Sequence, residues 1–169
     1  MGAGKSSVGE RTAALLGCEW VDLDSYIEKK IGLDIPEIFD LHEENGFRAI
    51  EAEALRDVMV MHLLTHTDVV LSLGGGTLQI GALRDYILEN SLCIFLKASP
   101  ETLQKRLQES EVRRPVLEGD ADFEKLLSER EKAYSLAHRT IQTDDLNIEQ
   151  TAQKACDIIK RELIDDKRV

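Results

Sequence analysis

The chain has 169 residues, 43% of them hydrophobic, and carries 21 Lys and Arg against 32 Asp and Glu for a net charge of −11. That length buries one sizeable core, so a single domain over residues 1–169 is expected. The acidic balance argues against a nucleic-acid partner, because holding a polyanion needs basic groups that displace its counterions. No apolar run approaches the about 18 residues of a membrane span and no leader opens the chain, so a cytoplasmic monomer with no membrane contact is expected.

Residues 2–7 read Gly-Ala-Gly-Lys-Ser-Ser. They match the end of the pattern G-x-x-x-x-G-K-[ST], in which backbone N–H groups point at phosphate oxygens, the lysine reaches the β- and γ-phosphates and the hydroxyl ligates Mg²⁺. Gly2, Ala3, Gly4, Lys5, Ser6 and Ser7 are thus candidates for a nucleotide phosphate cradle, with a flexible glycine-rich terminus as the alternative. A helix over Ser7–Leu16, closed by Gly17, adds its N-terminal dipole to the attraction for anions. The pattern's first glycine and the strand that leads into it would precede Met1, so the lead-in strand is expected to be absent from this chain.

The run Glu19–Leu23 (EWVDL) predicts a strand. It ends in Asp22-Leu23-Asp24, and because side chains alternate across a strand the two carboxylates are expected to point the same way at its carboxyl end, where open α/β sheets bind ligands. One then faces a metal and the other a substrate; the alternative is that Asp24 caps a helix from Ser25. Asp34 with Pro36 and Glu37 predicts a helix start, and Phe47, Ile50, Ala54, Val58 and Met61 mark one face of a long helix ending near Leu64. Arg48 opens that helix. A second strand, Val69–Leu73, runs into Gly74-Gly75-Gly76, where the missing Cβ atoms admit a small molecule close to the backbone or simply make a tight turn.

A third strand is predicted over Leu92–Leu96, and Ser99-Pro100 opens the helix behind it. The stretch Glu109–Asp122 is charged and broken by Pro115 and Gly119, so it predicts a mobile lid that brings Arg114 over the phosphates, or else a solvated loop. Arg130 lies in a further helix; a guanidinium there matches a carboxylate with paired donors, although a solvated arginine is the plain reading of Arg48 and Arg130 taken singly. Thr140–Thr143 makes a fourth short strand, and Asn147 caps a last helix with the stripe Ile148, Ala152, Ala155, Ile159 and Leu163. Cys18, Cys93 and Cys156 are far apart without a C-x-x-C pair, which points to reduced thiols. Short apolar runs alternating with amphipathic ones predict the α/β class, with a parallel sheet flanked by helices.

Met1 to Ser7, Asp22-x-Asp24, Ile38-Phe39, Gly46-Phe47-Arg48, Ser72-Leu73-Gly74-Gly75-Gly76, Arg114-Pro115-Val116-Leu117 and Glu129-Arg130 with Tyr134 together resemble the shikimate kinase family, from Met1 to the last helix. The resemblance implies the P-loop nucleotide kinase fold with a lid near residues 109–122, ATP as phosphoryl donor, Mg²⁺, and shikimate as substrate. It implies that Gly2 to Ser7 bind the ATP phosphates, that Ser6 ligates Mg²⁺ and that Asp22 holds the ion through water. Asp24, Arg48, Gly75 and Arg130 would bind shikimate, Lys5, Asp24 and Arg114 would carry the catalysis, and Phe39 and Phe47 would wall the pocket. Arg106 resembles the family's adenine-side arginine, at a spacing to Arg114 one residue longer. A kinase of a sugar acid or nucleoside monophosphate, and a catalytically silent binding module, are the alternatives.

Overall fold

The computed structural model describes residues 2–109 and 120–166. Helix α1 (Lys5–Leu16) starts behind Gly4 and stops at Gly17, whose left-handed backbone returns its N–H to the Ala13 carbonyl. Strand β1 (Glu19–Asp22) passes directly into α2 (Leu23–Ile31), and α3 (Ile35–Thr65) follows. A reciprocal capping box starts α3: the Glu37 N–H donates to Asp34 Oδ1 at 2.8 Å and the Asp34 N–H to Glu37 Oε2 at 2.9 Å. Strand β2 (Val69–Ser72), a 3-10 turn (Thr77–Gln79), α4 (Gly81–Asn90), β3 (Ile94–Lys97), α5 (Pro100–Gln108), α6 (Asp120–Tyr134), β4 (Arg139–Gln142) and α7 (Ile148–Asp166) complete the order.

The strands pair in parallel as β1 with β2, from Glu19↔Val69 to Asp22↔Ser72, and as β3 with β4, from Ile94↔Arg139 to Lys97↔Gln142. Among the described residues β2 and β3 therefore belong to different sheets. All four predicted strands are present, the third displaced from Leu92–Leu96 to Ile94–Lys97 and the first ending one residue early at Asp22. Ser99 and Asn147 cap α5 and α7 as their side chains predict, accepting from the N–H groups of Thr102 and Gln150. Most of the predicted lid, including Arg114, lies outside the described residues; its last part, from Asp120, is the start of α6. No helix among the described residues is long and apolar enough to cross a membrane.

The inner face of α3 differs from the predicted stripe. Phe47, Ala54 and Val58 are buried, but the other inward positions are Glu51, Leu55 and His62, while Met61 is 44% exposed. The predicted stripe and the buried set 47, 51, 54, 55, 58, 62 both keep the helical period, but the buried arc is rotated toward Glu51, Leu55 and His62 and so takes in two polar side chains. This face packs with Leu23, Ile27, Leu78, Leu83 and Ile87 into one core beneath the glycine run.

Asp144 ties together the carboxyl ends of the paired strands β3 and β4. Its Oδ1 accepts from the Ser99 N–H at 2.9 Å and from Thr102 Oγ1 at 2.7 Å, joining the loop after β4 to the start of α5. The Ser99 N–H, then the neighbouring hydroxyls, hold this carboxyl well below the usual carboxylate range. The tie is fully made at neutral pH and weakens only as pH falls below the ordinary carboxylate pKa, because a depressed folded pKa favours the folded state above it.

Glu43 interrupts α3 with φ 53° and ψ −178°, a backbone region that belongs to glycine. Such strain costs about 1–3 kcal/mol, and a glycine gives back roughly 0.5–1 kcal/mol of that through its greater freedom when unfolded. Glu43→Gly is therefore expected to raise stability by about 1 kcal/mol. Urea unfolding checks this: the midpoint rises, and an unchanged or lower midpoint contradicts the strain.

Candidate active site

Lys5 opens α1 behind two glycines of positive φ, Gly2 at 70° and Gly4 at 76°. Gly4 occupies the cap position without a side-chain hydrogen bond, so the N–H groups of the first turn of α1 are left to meet an anion. Ser6 Oγ donates to Asp22 Oδ2 at 2.5 Å, and the other Asp22 oxygen accepts from the Ser25 N–H at 3.2 Å. Asp22 is thus the cap of α2, the role considered above for Asp24. Asp24 sits in the first helical turn, so strand alternation does not align the two carboxylates. Asp24 nevertheless reaches the glycine run, since a Cβ on Gly74 would lie 2.9 Å from its Oδ1.

The Ser6 hydroxyl and the Asp22 carboxylate are hard oxygen donors in contact, which suits Mg²⁺. No cluster of three or more His, Cys, Asp or Glu among the described residues could hold a metal. An ion held by Ser6 and Asp22 would consequently complete its shell with water and phosphate oxygens, the usual arrangement for Mg²⁺ beside a nucleotide.

The other end of the site is built around Glu51, which is 1% exposed. Its Oε2 accepts from Arg48 Nη1 at 2.9 Å and its Oε1 from Thr77 Oγ1 at 2.5 Å, and Thr77 is itself fully buried. Arg48, 22% exposed, meets Glu44 at 3.3 Å on its outer side and lies against the Phe47 ring, which stacks on Phe39 at 4.3 Å. The guanidinium occupies the space where a Gly76 Cβ would stand.

Arg130 and Tyr134, on one face of α6, meet the same run one residue earlier. A Cβ on Gly75 would be 2.8 Å from Arg130 Nη1, and Tyr134 O–H donates to the Gly75 carbonyl at 2.5 Å. Burial pushes the Tyr134 phenol up, against the pull of Arg130 and Arg48, so it remains a proton donor at neutral pH. Here the absence of Cβ atoms is a requirement of close approach, because two guanidinium groups lie directly on the backbone. Between them is a cavity of about 300 Å³ whose lining includes Gly76, Gln79 and Leu126 and, beside the two arginines, the carboxylates Glu44 and Glu129 at its edge. Arg48 and Arg130 both border this cavity, and guanidinium groups match carboxylates with paired donors.

Of the predicted site residues, Ser6 and Asp22 are brought into contact, as are Asp24 with the glycine run and Arg48 and Arg130 with a common cavity. Arg114 lies outside the described residues. Arg106 donates to the Thr143 carbonyl at 2.6 Å and to Thr143 Oγ1 at 3.2 Å, tying α5 to the end of β4. Glu51 and Thr77 were missed by the sequence reading. The signal for Glu51 was a lone carboxylate on the apolar face of α3, three residues after Arg48.

The family model described as Shikimate kinase matches residues 1–160. The chain is 36% identical to the shikimate kinase of Thermus thermophilus over 157 residues, covering 91% of this chain and 83% of that one. It is 38% identical to the shikimate kinase of Marinomonas sp. over 167 residues, covering 96% and 90%. Among solved structures, the shikimate kinase from Acinetobacter baumannii in complex with shikimate superposes with a TM-score of 0.84 at 32% identity, covering 96% of this chain and 89% of that chain.

The burial asymmetry of the Arg48 and Glu51 pair sets an order of stability costs. Arg48→Met leaves a carboxylate uncompensated in the interior and is expected to cost about 3–5 kcal/mol. Glu51→Gln keeps an acceptor for Thr77 and leaves a guanidinium that reaches water, so its cost is expected to be about half of that. Urea unfolding of both variants checks the ranking, and equal costs would contradict it.

Proposed function

The chain belongs to the shikimate kinase family, and we propose that its residues carry that activity as follows. The protein is a phosphotransferase that uses ATP to phosphorylate the 3-hydroxyl of shikimate, giving shikimate 3-phosphate on the route to chorismate and the aromatic amino acids. The observation that supports the assignment of residues is the convergence of Arg48 and Arg130 on one cavity beside a glycine run that Asp24 also reaches.

Arg48 and Arg130 grip the substrate carboxylate, each guanidinium offering paired N–H donors. Glu51 and Thr77 hold Arg48 in place from behind, and Tyr134 steadies the Gly75 backbone that faces the substrate. Phe39 and Phe47 wall the pocket. Asp24 hydrogen-bonds the ring hydroxyls, orients the attacking one and accepts its proton. Gly2, Ala3, Gly4, Lys5, Ser6 and Ser7 hold the ATP phosphates, and Lys5 places its ammonium where charge builds up during in-line transfer. Mg²⁺ held by Ser6 and Asp22 supplies neutralisation of phosphate charge. Arg114, which lies outside the described residues, adds a second positive charge at the phosphates. Residues 1–169 act as one kinase domain, and a cytoplasmic monomer suffices because both ends of the site come from one chain.

A coupled assay with ATP and shikimate, quinate, gluconate or nucleoside monophosphates tests the reading. Turnover is expected with shikimate and not with nucleoside monophosphates; the reverse preference would overturn it. Lys5→Met is expected to lower kcat by about 10²-fold or more. Arg130→Lys is expected to raise the KM for shikimate at least tenfold, through loss of a bidentate contact, while the KM for ATP stays within twofold. An Arg130→Lys variant with unchanged shikimate KM would contradict the clamp.

A further inference from the structure

Strand alternation puts Trp20 and Asp22 on one face of β1, the face that meets α1. Asp22 holds the Ser6 hydroxyl, as described above. Trp20 reaches the neighbouring residue of the loop by another path: its Nε1–H donates to Ser72 Oγ at 3.0 Å, and Ser72 Oγ donates to the Lys5 carbonyl at 3.1 Å. The direction is forced, because an indole N–H only donates; Ser72 must accept from it, which aims the serine's own proton at Lys5.

Ser72 is 6% exposed and is the register partner of Asp22, so the two strands end level. Each strand end therefore holds one of two consecutive loop residues: β1 holds Ser6 through Asp22, and β2 holds Lys5 through Ser72. Gly9, one turn further along α1, lets the helix lie flush on this arrangement. A Cβ there would run into Ser72 Oγ and stand 3.0 Å from Trp20 Nε1. The indole, the serine and the glycine thus make one fitted contact at the root of the phosphate loop.

We propose that Trp20 and Ser72 are positioning residues for nucleotide binding: a two-bond relay that fixes the Lys5 backbone and so the reach of its ammonium. Neither residue touches a reacting atom. Ser72 acts on Lys5 directly, and Trp20 acts only through Ser72 by fixing its rotamer. Trp20 is the single tryptophan of the chain, so its emission also reports what happens at the root of the loop.

The inference rests on the assignment of Lys5 to the nucleotide phosphates, and its test is separable from the test of turnover. ADP affinity is measured by calorimetry for the intact chain, Trp20→Phe, Ser72→Ala and the double variant, with thermal melting of each as a control for folding. A lost hydrogen bond of this kind corresponds to roughly three- to tenfold in affinity. Each single variant is expected to weaken ADP binding by about that factor, and the double variant by no more than Ser72→Ala, because Trp20 has no route to Lys5 without Ser72. The KM for shikimate is expected to stay within twofold in all of them. In the intact chain ADP should shift the tryptophan emission, and in Ser72→Ala that shift should shrink.

Unchanged ADP affinity in a folded Ser72→Ala variant overturns the relay while leaving the kinase reading intact. Independent, additive effects of the two variants, or equal rises in both KM values, overturn it in favour of a merely structural role. An intact chain that phosphorylates no shikimate but shows the predicted ADP pattern supports the relay and removes the substrate assignment. One that binds no ADP overturns both.

Discussion

A carboxylate shut away from water has to be paired where it stands, and Glu51 is that group in this chain. With Arg48 on one oxygen and Thr77 on the other, it joins α3 to the 3-10 turn behind the glycine run and fixes the guanidinium at the wall of the cavity. The stabilising value of such a pair relative to apolar packing is small, but half of it is intolerable. Its consequence is geometric. Arg48 cannot swing freely into solvent without stranding Glu51, so the cation is held against Gly76 before any ligand arrives. That is pre-organisation of the kind that lowers the entropic cost of binding.

The same economy of position recurs at the phosphate end. Asp22 is at once the last residue of β1, the cap of α2 and the partner of Ser6. A single carboxylate therefore relates the phosphate loop to the element that carries Asp24, and Asp24 in turn reaches Gly74. The nucleotide end and the proposed substrate end are linked through the first turn of α2 on one side and through β2 and its glycines on the other. Phosphoryl transfer needs its two substrates in line, and short covalent links between their binding elements are a way to keep them so.

Features that depend on neighbours in sequence were legible beforehand. The caps at Asp34, Ser99 and Asn147 and the stop at Gly17 follow from local hydrogen bonding and left-handed backbone, and each is found where its residue type predicts. The ordered motifs likewise pointed to the family that the comparisons establish. Features that depend on distant partners were not legible. Glu51 was not singled out because one of its compensating partners, Thr77, is 26 positions away. Met61 was placed inside because it continues the apolar stripe of Phe47, Ile50, Ala54 and Val58, whereas the buried face is rotated toward Glu51 and His62, and His62 Nδ1 meets Thr67 Oγ1, just beyond the end of α3, at 2.9 Å. Asp22 and Asp24 were assigned by alternation across a strand that ends at Asp22 and gives way to a helix before Asp24 is reached. Trp20 and Ser72 read as ordinary strand residues, because a relay between two strands and a loop exists only once they are assembled.

The proposed function requires the cavity bordered by Arg48 and Arg130 to recognise an acid. This requirement is tested most directly by comparing the affinity of the intact chain for shikimate and for its carboxamide, which keeps the ring and all hydroxyls but removes the charge. Calorimetry is expected to give at least a tenfold weaker affinity for the carboxamide, since hydrogen bonds to charged groups contribute roughly 1.5–3 kcal/mol each. Equal affinity for the two would mean that the arginines do not hold the carboxylate, and the account of the site would be wrong.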